Sequence, residues 1–138
     1  MVLTTDIATH LQDDAVGTIR STGDWGIYEN MMPAEPDKCI AVFAYGGGPP
    51  DVVWAGEYPS VQVRVRGAQH KESDSTQHPI TFAKAYAVMV SLHKTLRTTI
   101  NGTVYYWMEA KHSPSSLGRD TKGRDIYVIN FDIMKEYE

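Results

Sequence analysis

Five histidines, one cysteine and several grouped carboxylates and serines are the residues of this 138-residue chain that could bind a metal or carry acid–base and nucleophilic chemistry. His10, His70, His78, His93 and His112 form no i, i+4 pair and no HExxH arrangement, and Cys39 is alone, so the spacing that holds zinc is missing. His70 and His78 fall in a polar loop and His93 on a helix face, while Cys39 beside Ile40 reads as a small buried hydrophobe. A serine hydrolase needs a strand-to-helix elbow such as GxSxG, and none occurs; Ser91 is mid-helix and Ser113, Ser115 and Ser116 lie in a loop. Asp13 and Asp14 occupy adjacent helical positions, where side chains diverge instead of converging on one substrate. Turn formation and ion pairing account for Asp120 and Asp125. The Gly46-Gly47-Gly48 run lacks the Gly-Lys-Ser/Thr ending of a phosphate loop, and Pro49-Pro50 prevent a helix from starting directly behind it. These residues point to no catalytic apparatus, no cofactor and no metal.

What remains are charged and apolar side chains spaced to touch another macromolecule. Arg119, Lys122 and Arg124 with Asp120 and Asp125 make a dense mixed-charge loop, either an ordinary solvated turn or a rim that sets register against a partner. Arg64 and Arg66 alternate with Val61, Val63 and Val65, which gives a strand with a valine core face and a basic outer face. Those arginines either keep a sheet face soluble or make forked hydrogen bonds to carboxylates of another subunit. The formal charge of −4 and pI near 5.7 argue against broad wrapping of nucleic acid, and no basic tract is interleaved with aromatics as a stacking platform.

The elements that must position these residues follow from periodicity. A short amphipathic helix is predicted over residues 5–15, with Thr4-Thr5-Asp6 as capping side chains and Gly17 as its stop. Strands follow at 24–30, at 38–45 as a central strand covered on both faces, and at 59–67, separated by the acidic Pro33/Pro36 connector and the Gly-Pro loop. The main helix is predicted from Pro79 to about residue 97, with apolar side chains so widely spread that one contact face does not use them all. Residues 98–102 read as a turn, 103–112 as a strand, 113–125 as a loop, and 126 onward as a terminal strand with a bulge or two-sided burial at Val128-Ile129-Asn130. The expectation is a single α+β domain over 1–138, with an antiparallel or mixed sheet of about four to five strands flanked by two helices. Loops 46–51, 68–78 and 113–125 are candidates for ordering on assembly. The longest apolar-leaning run, Ala83 to Leu92, is far shorter than the roughly 20 residues that span a bilayer, and the chain is expected to be soluble, with its lone cysteine in a reducing compartment.

The QVRVRG strand of Pro59 to Gly67, the helix that follows it, and the terminal SLGRDTKGRDIYVINFDIM together resemble a family of tailed-phage minor capsid proteins, the tail terminators, also called tail-completion or head–tail joining proteins. The likeness covers mainly the second half of the chain, and Asp125 stands where that family usually has proline. It implies an α+β subunit whose copies form a hexameric ring that caps the tail tube, stops tube growth and docks on the head-side connector, with DNA passing through the hole without specific binding. The implied partners are further copies of the chain, the tail tube protein and a head-side connector or stopper, with no membrane; the implied location is the virion neck or tail, assembled in the host cytoplasm. A closed ring needs two unlike complementary surfaces. Candidates for them are Tyr86 and Val90 on the helix and the charged Arg64, Arg66, Arg119, Asp120, Lys122 and Arg124. A head-side stopper, a tube subunit, or a small-ligand-binding module or enzyme are the alternative readings.

Overall fold

The computed structural model describes residues 2–70, 76–93 and 95–137. In chain order its elements are α1 (Leu3–Asp13), β1 (Thr18–Ile19), β2 (Gly26–Glu29), β3 (Cys39–Tyr45), β4 (Gly56–Glu57), β5 (Ser60–Gln69), α2 (Gln77–Leu92), β6 (Thr95–Ile100), β7 (Thr103–Ala110), β8 (Ser115–Arg119) and β9 (Arg124–Glu136).

The alternating valines make β5 the middle of one mixed sheet. It pairs antiparallel with β3 on one side and β9 on the other, and the order is β1-β2-β3-β5-β9-β7-β6, with β1, β2 and β3 mutually parallel. At thirteen residues β9 outruns β5, so its far end is free to take β4, while its other edge takes β7 and then β8. Val61, Val63 and Val65 face α2, whose Ala85, Val88 and Leu92 complete the core with Ile129, Phe131 and Ile133; Ile7 and Leu11 of α1 join it beside Ile40 and Val42. Both helices therefore lie on one face. Among the described residues no helix covers the other, which carries Phe43, Gln62, Arg64 and Asn130.

The α+β architecture with two helices matches the sequence expectation, but the described sheet has nine strands in place of about four to five. Two of the extra strands, β1 and β4, are two-residue pairings with no periodicity to read. The expected end of the main helix is β6: α2 stops at Leu92, where His93 turns extended (φ −65°, ψ 134°), and the β-branched Thr95, Thr98, Thr99 and Ile100 run antiparallel to β7. β8 was expected to be loop and pairs with β9 through an irregular register, Ser115 opposite Val128 and Arg119 opposite Asp125. The two-sided reading at Val128-Ile129 holds, since both are buried and the β5–β9 register runs unbroken there; the slip falls between Arg66 and Gln69. Helix α1 starts earlier than expected, and its first residue follows Val2 with no side-chain cap. Thr4 and Thr5 instead donate to Glu29 Oε1 at 2.9 and 2.7 Å, and the fully buried Asp6 accepts from Tyr105 Oη at 2.5 Å and Asn101 Nδ2 at 2.8 Å. Within the 68–78 loop, residues 71–75 lie outside the described residues.

Candidate assembly surface

Helix α2 buries Thr81, Ala85, Val88 and Leu92 against the sheet and turns Ile80, Phe82, Tyr86 and Val90 outward, with Tyr86 49% and Val90 61% exposed. The Phe82 ring lies 6.2 Å from Tyr86 and 5.5 Å from Tyr127, so the stripe is continuous with the sheet at its lower end. Helix interiors exposed to water ordinarily carry charge on the outer face. Here Lys84 is the one Lys, Arg, Asp or Glu in the helix, and it is occupied: its ammonium donates to Val16 O at 2.9 Å and sits 5.2 Å from the Trp25 ring, where burial pulls its pKa below the usual lysine value. With Lys84 drawn back, the outer face of α2 beyond His78 in its first turn is apolar and uncharged.

Below this stripe a charged cluster ties β5, α2, β8 and β9 together. The Asp125 carboxylate meets His70 Nε2 in a very short contact, Arg119 Nε at 3.4 Å and His78 Nδ1 at 3.5 Å, and His78 in turn is 2.9 Å from Tyr127 Oη. Burial alone would raise the Asp125 pKa, but the hydrogen bond and charge of His70, helped by Arg119 and His78, hold it below the ordinary carboxylate value. Burial, with the nearby Asp125 charge, pushes the Tyr127 phenol up. His70 was expected in a solvated loop; it is buried because its amide extends the chain beside β9, donating to Gly123 O at 2.9 Å.

The candidate residues separate into three groups. Arg66 was expected on the outer face of its strand and Arg124 in a mixed-charge turn at the surface; they are 3% and 5% exposed. Arg66 donates to Asp37 O at 2.9 Å and Pro36 O at 2.7 Å; Arg124 donates to Asp120 Oδ2 at 2.8 Å, Asp37 Oδ1 at 3.0 Å and Ala34 O at 2.8 Å. Together they bolt the 31–37 connector over the sheet, which is why alternation, correct about the face of Arg66, misjudged its exposure, and why the Arg124 side chain is not at the surface of its turn. Asp120 shapes the β8–β9 turn by accepting the Lys122 and Arg124 amides at 3.0 Å each; burial opposes its charge, but these and the Arg124 side chain hold its pKa low. Arg119 and Lys122 are outward, Lys122 making a half-exposed 3.5 Å pair with Glu35. Arg64 stands half-buried on the sheet face turned away from the helices, its guanidinium 5.4 Å from the Phe43 ring and its Nε donating to Gln62 Oε1 at 2.8 Å. The structure thus brings Tyr86 and Val90 together on one helix, Arg119, Asp120 and Lys122 together on one turn, and leaves Arg64 on the opposite layer.

The 46–57 loop is less free than its glycines suggest. Asp51 Oδ1 accepts the Val53 and Trp54 amides at 2.8 and 3.3 Å, bonds that draw its pKa down, and Tyr137 Oη donates to Asp51 O at 2.7 Å. A hollow of about 620 Å³ beside this loop, lined by Pro50 to Ala55 and Tyr137, is open and holds no second titratable carboxylate or histidine. Among the described residues, no group of three His, Cys, Asp or Glu side chains could hold a metal ion.

The model of a family described as bacteriophage tail terminator protein matches residues 10–137. No curated protein matches the chain.

Proposed function

Since the chain belongs to the bacteriophage tail terminator family and so to the structural proteins of the virion, we propose that its copies close into a hexameric ring that caps the tail tube, halts tube growth and joins the tube to the head-side connector. The observation that carries this reading is the uncharged outer face of α2. Full burial of a Phe, Tyr, Val or Ile side chain contributes roughly 1.5–3 kcal/mol, so a stripe of four half-exposed ones is a surface whose association with another protein is favourable. Aromatic and branched side chains without charge also make up the centres of protein interfaces. Arg119, Asp120 and Lys122 on their turn, with Arg64 on the other layer, are the polar rim that sets orientation. Arg66 and Arg124 serve the same end indirectly, by fixing the 31–37 connector. The formal charge of −4 suits a ring through which DNA slides without being gripped by its phosphates. Assembly takes place in the host cytoplasm, with the tail tube protein and the connector or stopper as partners.

Electron microscopy of the purified protein mixed with tail tubes tests this. The expected image is a ring at one end of each tube, with no further tube growth beyond it. Unlimited tubes formed from this protein alone would make it a tube subunit, and tubes left bare at both ends would refute the capping role.

A further inference from the structure

The sheet face turned away from the helices carries an apolar platform of its own. Across β6, β7 and β9 the register sets Leu96 opposite Trp107 and Trp107 opposite Met134. Their chain neighbours Met108 and Ile133, also paired, are buried under the helices, so strand alternation turns the Leu96–Trp107–Met134 row to the other side. A register slip makes Tyr106 an extra residue between Tyr105 and Trp107; Trp54 stands edge-on to its ring at 5.5 Å and Arg97 lies 5.8 Å from it. Leu96 is 73% exposed, and Val52 and Val53, next to Trp54 in sequence, are 98% and 90% exposed. A single exposed leucine means little, whereas a row of Leu, Trp and Met continued by Tyr106 and Trp54 has the composition of an interface centre.

Charge selects what covers it. Asp51, Glu57, Glu109, Asp132 and Glu136 lie on or beside the platform's strands and loop, against Arg97, Lys111 and Lys135, whose ammonium pairs with Glu57 at 3.7 Å, so carboxylates remain in excess. Two platforms face to face would oppose these carboxylates to each other, a costly arrangement. Helix α2 contains no acidic residue between Gln77 and Leu92 and its outer face is apolar. It also lies on the opposite layer, so a contact between α2 of one copy and the platform of the next is head-to-tail and leaves the pair with one unused surface of each kind, the arrangement that closes into a ring when the rotation between copies permits.

We propose that the platform built from Leu96, Trp107, Met134, Tyr106 and Trp54 is the seat for the outer face of α2 from a neighbouring copy. The proposal rests on the ring reading above. Full-length Val90→Cys and Leu96→Cys variants test it, because both positions are exposed and the native Cys39 is fully buried. Treated with a short bis-maleimide under conditions where rings form, the mixture of the two variants gives cross-linked dimers, each variant alone gives few, and the double variant gives a ladder ending in a closed species. Efficient cross-linking of Val90→Cys alone overturns the proposal in favour of a symmetric helix pair, and rings that form without the mixed cross-link overturn it while leaving the ring reading intact. If the unmodified protein gives no ring alone or on tail tubes, the ring reading fails and the contact fails with it. As a second readout, Leu96→Glu is expected to abolish rings while leaving the urea midpoint unchanged; intact rings in that variant count against the seat.

Discussion

Gly67 determines how closely α2 sits on the sheet, and adding one methyl group there tests that. A Cβ at this position would overlap Thr81 Oγ1 and lie 3.0 Å from Thr81 Cβ and 3.2 Å from its Cγ2. Thr81 has no room to yield: it is fully buried, and its hydroxyl donates to Gln77 O at 2.9 Å. Gly67→Ala must therefore lift the first turn of α2 off β5 or break that bond. Overpacking of this kind costs about 1–3 kcal/mol, and loss of a buried hydrogen bond adds about 1 kcal/mol, so we expect destabilisation of about 2–4 kcal/mol out of a total near 5–15. In urea, with a slope near 2 kcal/mol/M, the midpoint falls by about 1–2 M. Thr81→Ala removes the clashing hydroxyl and methyl, and the double variant is expected to be more stable than the two single costs predict, by about 1–2 kcal/mol. Strictly additive costs, or a Gly67→Ala midpoint equal to the unmodified one, would refute the claim that this backbone approach sets the helix position.

The Arg124→Met variant leaves the Ala34 carbonyl and Asp37 without the guanidinium, while Asp120 keeps its two backbone amide donors; because Asp37 is partly solvated, we expect a loss of about 2–3 kcal/mol, below the roughly 3–5 typical of a broken buried pair, read by urea denaturation. Asp125 has a folded pKa below its unfolded value near 3.9, so its stabilisation is complete above that value and drains away as pH falls through the lower folded one. Stability measured from pH 6 down to pH 2 should accordingly converge between the unmodified chain and Asp125→Asn at the acid end, and a gap that widens toward acid would contradict the assignment. Replacing both Tyr86 and Val90 by Asp should leave the unfolding free energy measured in urea within about 0.5 kcal/mol, since neither is buried, while abolishing tube capping in electron micrographs.

Where the sequence spoke clearly, it did so through apolar periodicity reinforced over many residues: the valines of β5, the terminal strand, and α2. The places it misled have one cause, a distant segment that decides a local outcome. Leu92 and Leu96 keep helical spacing, so the helix pattern runs on past its true end; the chain turns at His93, whose Nδ1 accepts the Ala110 amide at 2.9 Å and draws the backbone onto β7. The His70–Asp125 contact joins residues 55 positions apart, and no local motif marks either partner. Arg66 stands on the face that alternation assigned it, yet the connector carrying Pro36 and Asp37 folds over it, and nothing within the strand announces that cover. In the proposed assembly surface, Tyr86 and Val90 were legible as surplus apolar residues on one helix. The platform was not, because it exists only once Leu96, Trp107 and Met134 are brought into register from three strands, one of which read as helix.

Charge placement separates the forces that hold the subunit from those proposed to hold the ring. Arg66, Arg124 and Asp125 are buried and spend their hydrogen bonds within the chain, while the outer face of α2 and the Leu96 row are uncharged. Only exposed or half-exposed pairs such as Lys122–Glu35 and Lys111–Asp132, at 3.5 and 3.9 Å, are left to respond to salt at the surface. Pairs of that kind contribute about 0–1 kcal/mol each and are screened beyond about 3 Å at 1 M salt, whereas apolar burial is not screened. A ring held mainly by α2 on the platform should then keep its assembly equilibrium, measured by light scattering across a dilution series, within about threefold between 0.1 and 1 M sodium chloride, a change of under about 1 kcal/mol. A fall of a hundredfold or more over that range would mean that Arg64, Arg119 and Lys122 carry the contact and that the uncharged face of α2 does not.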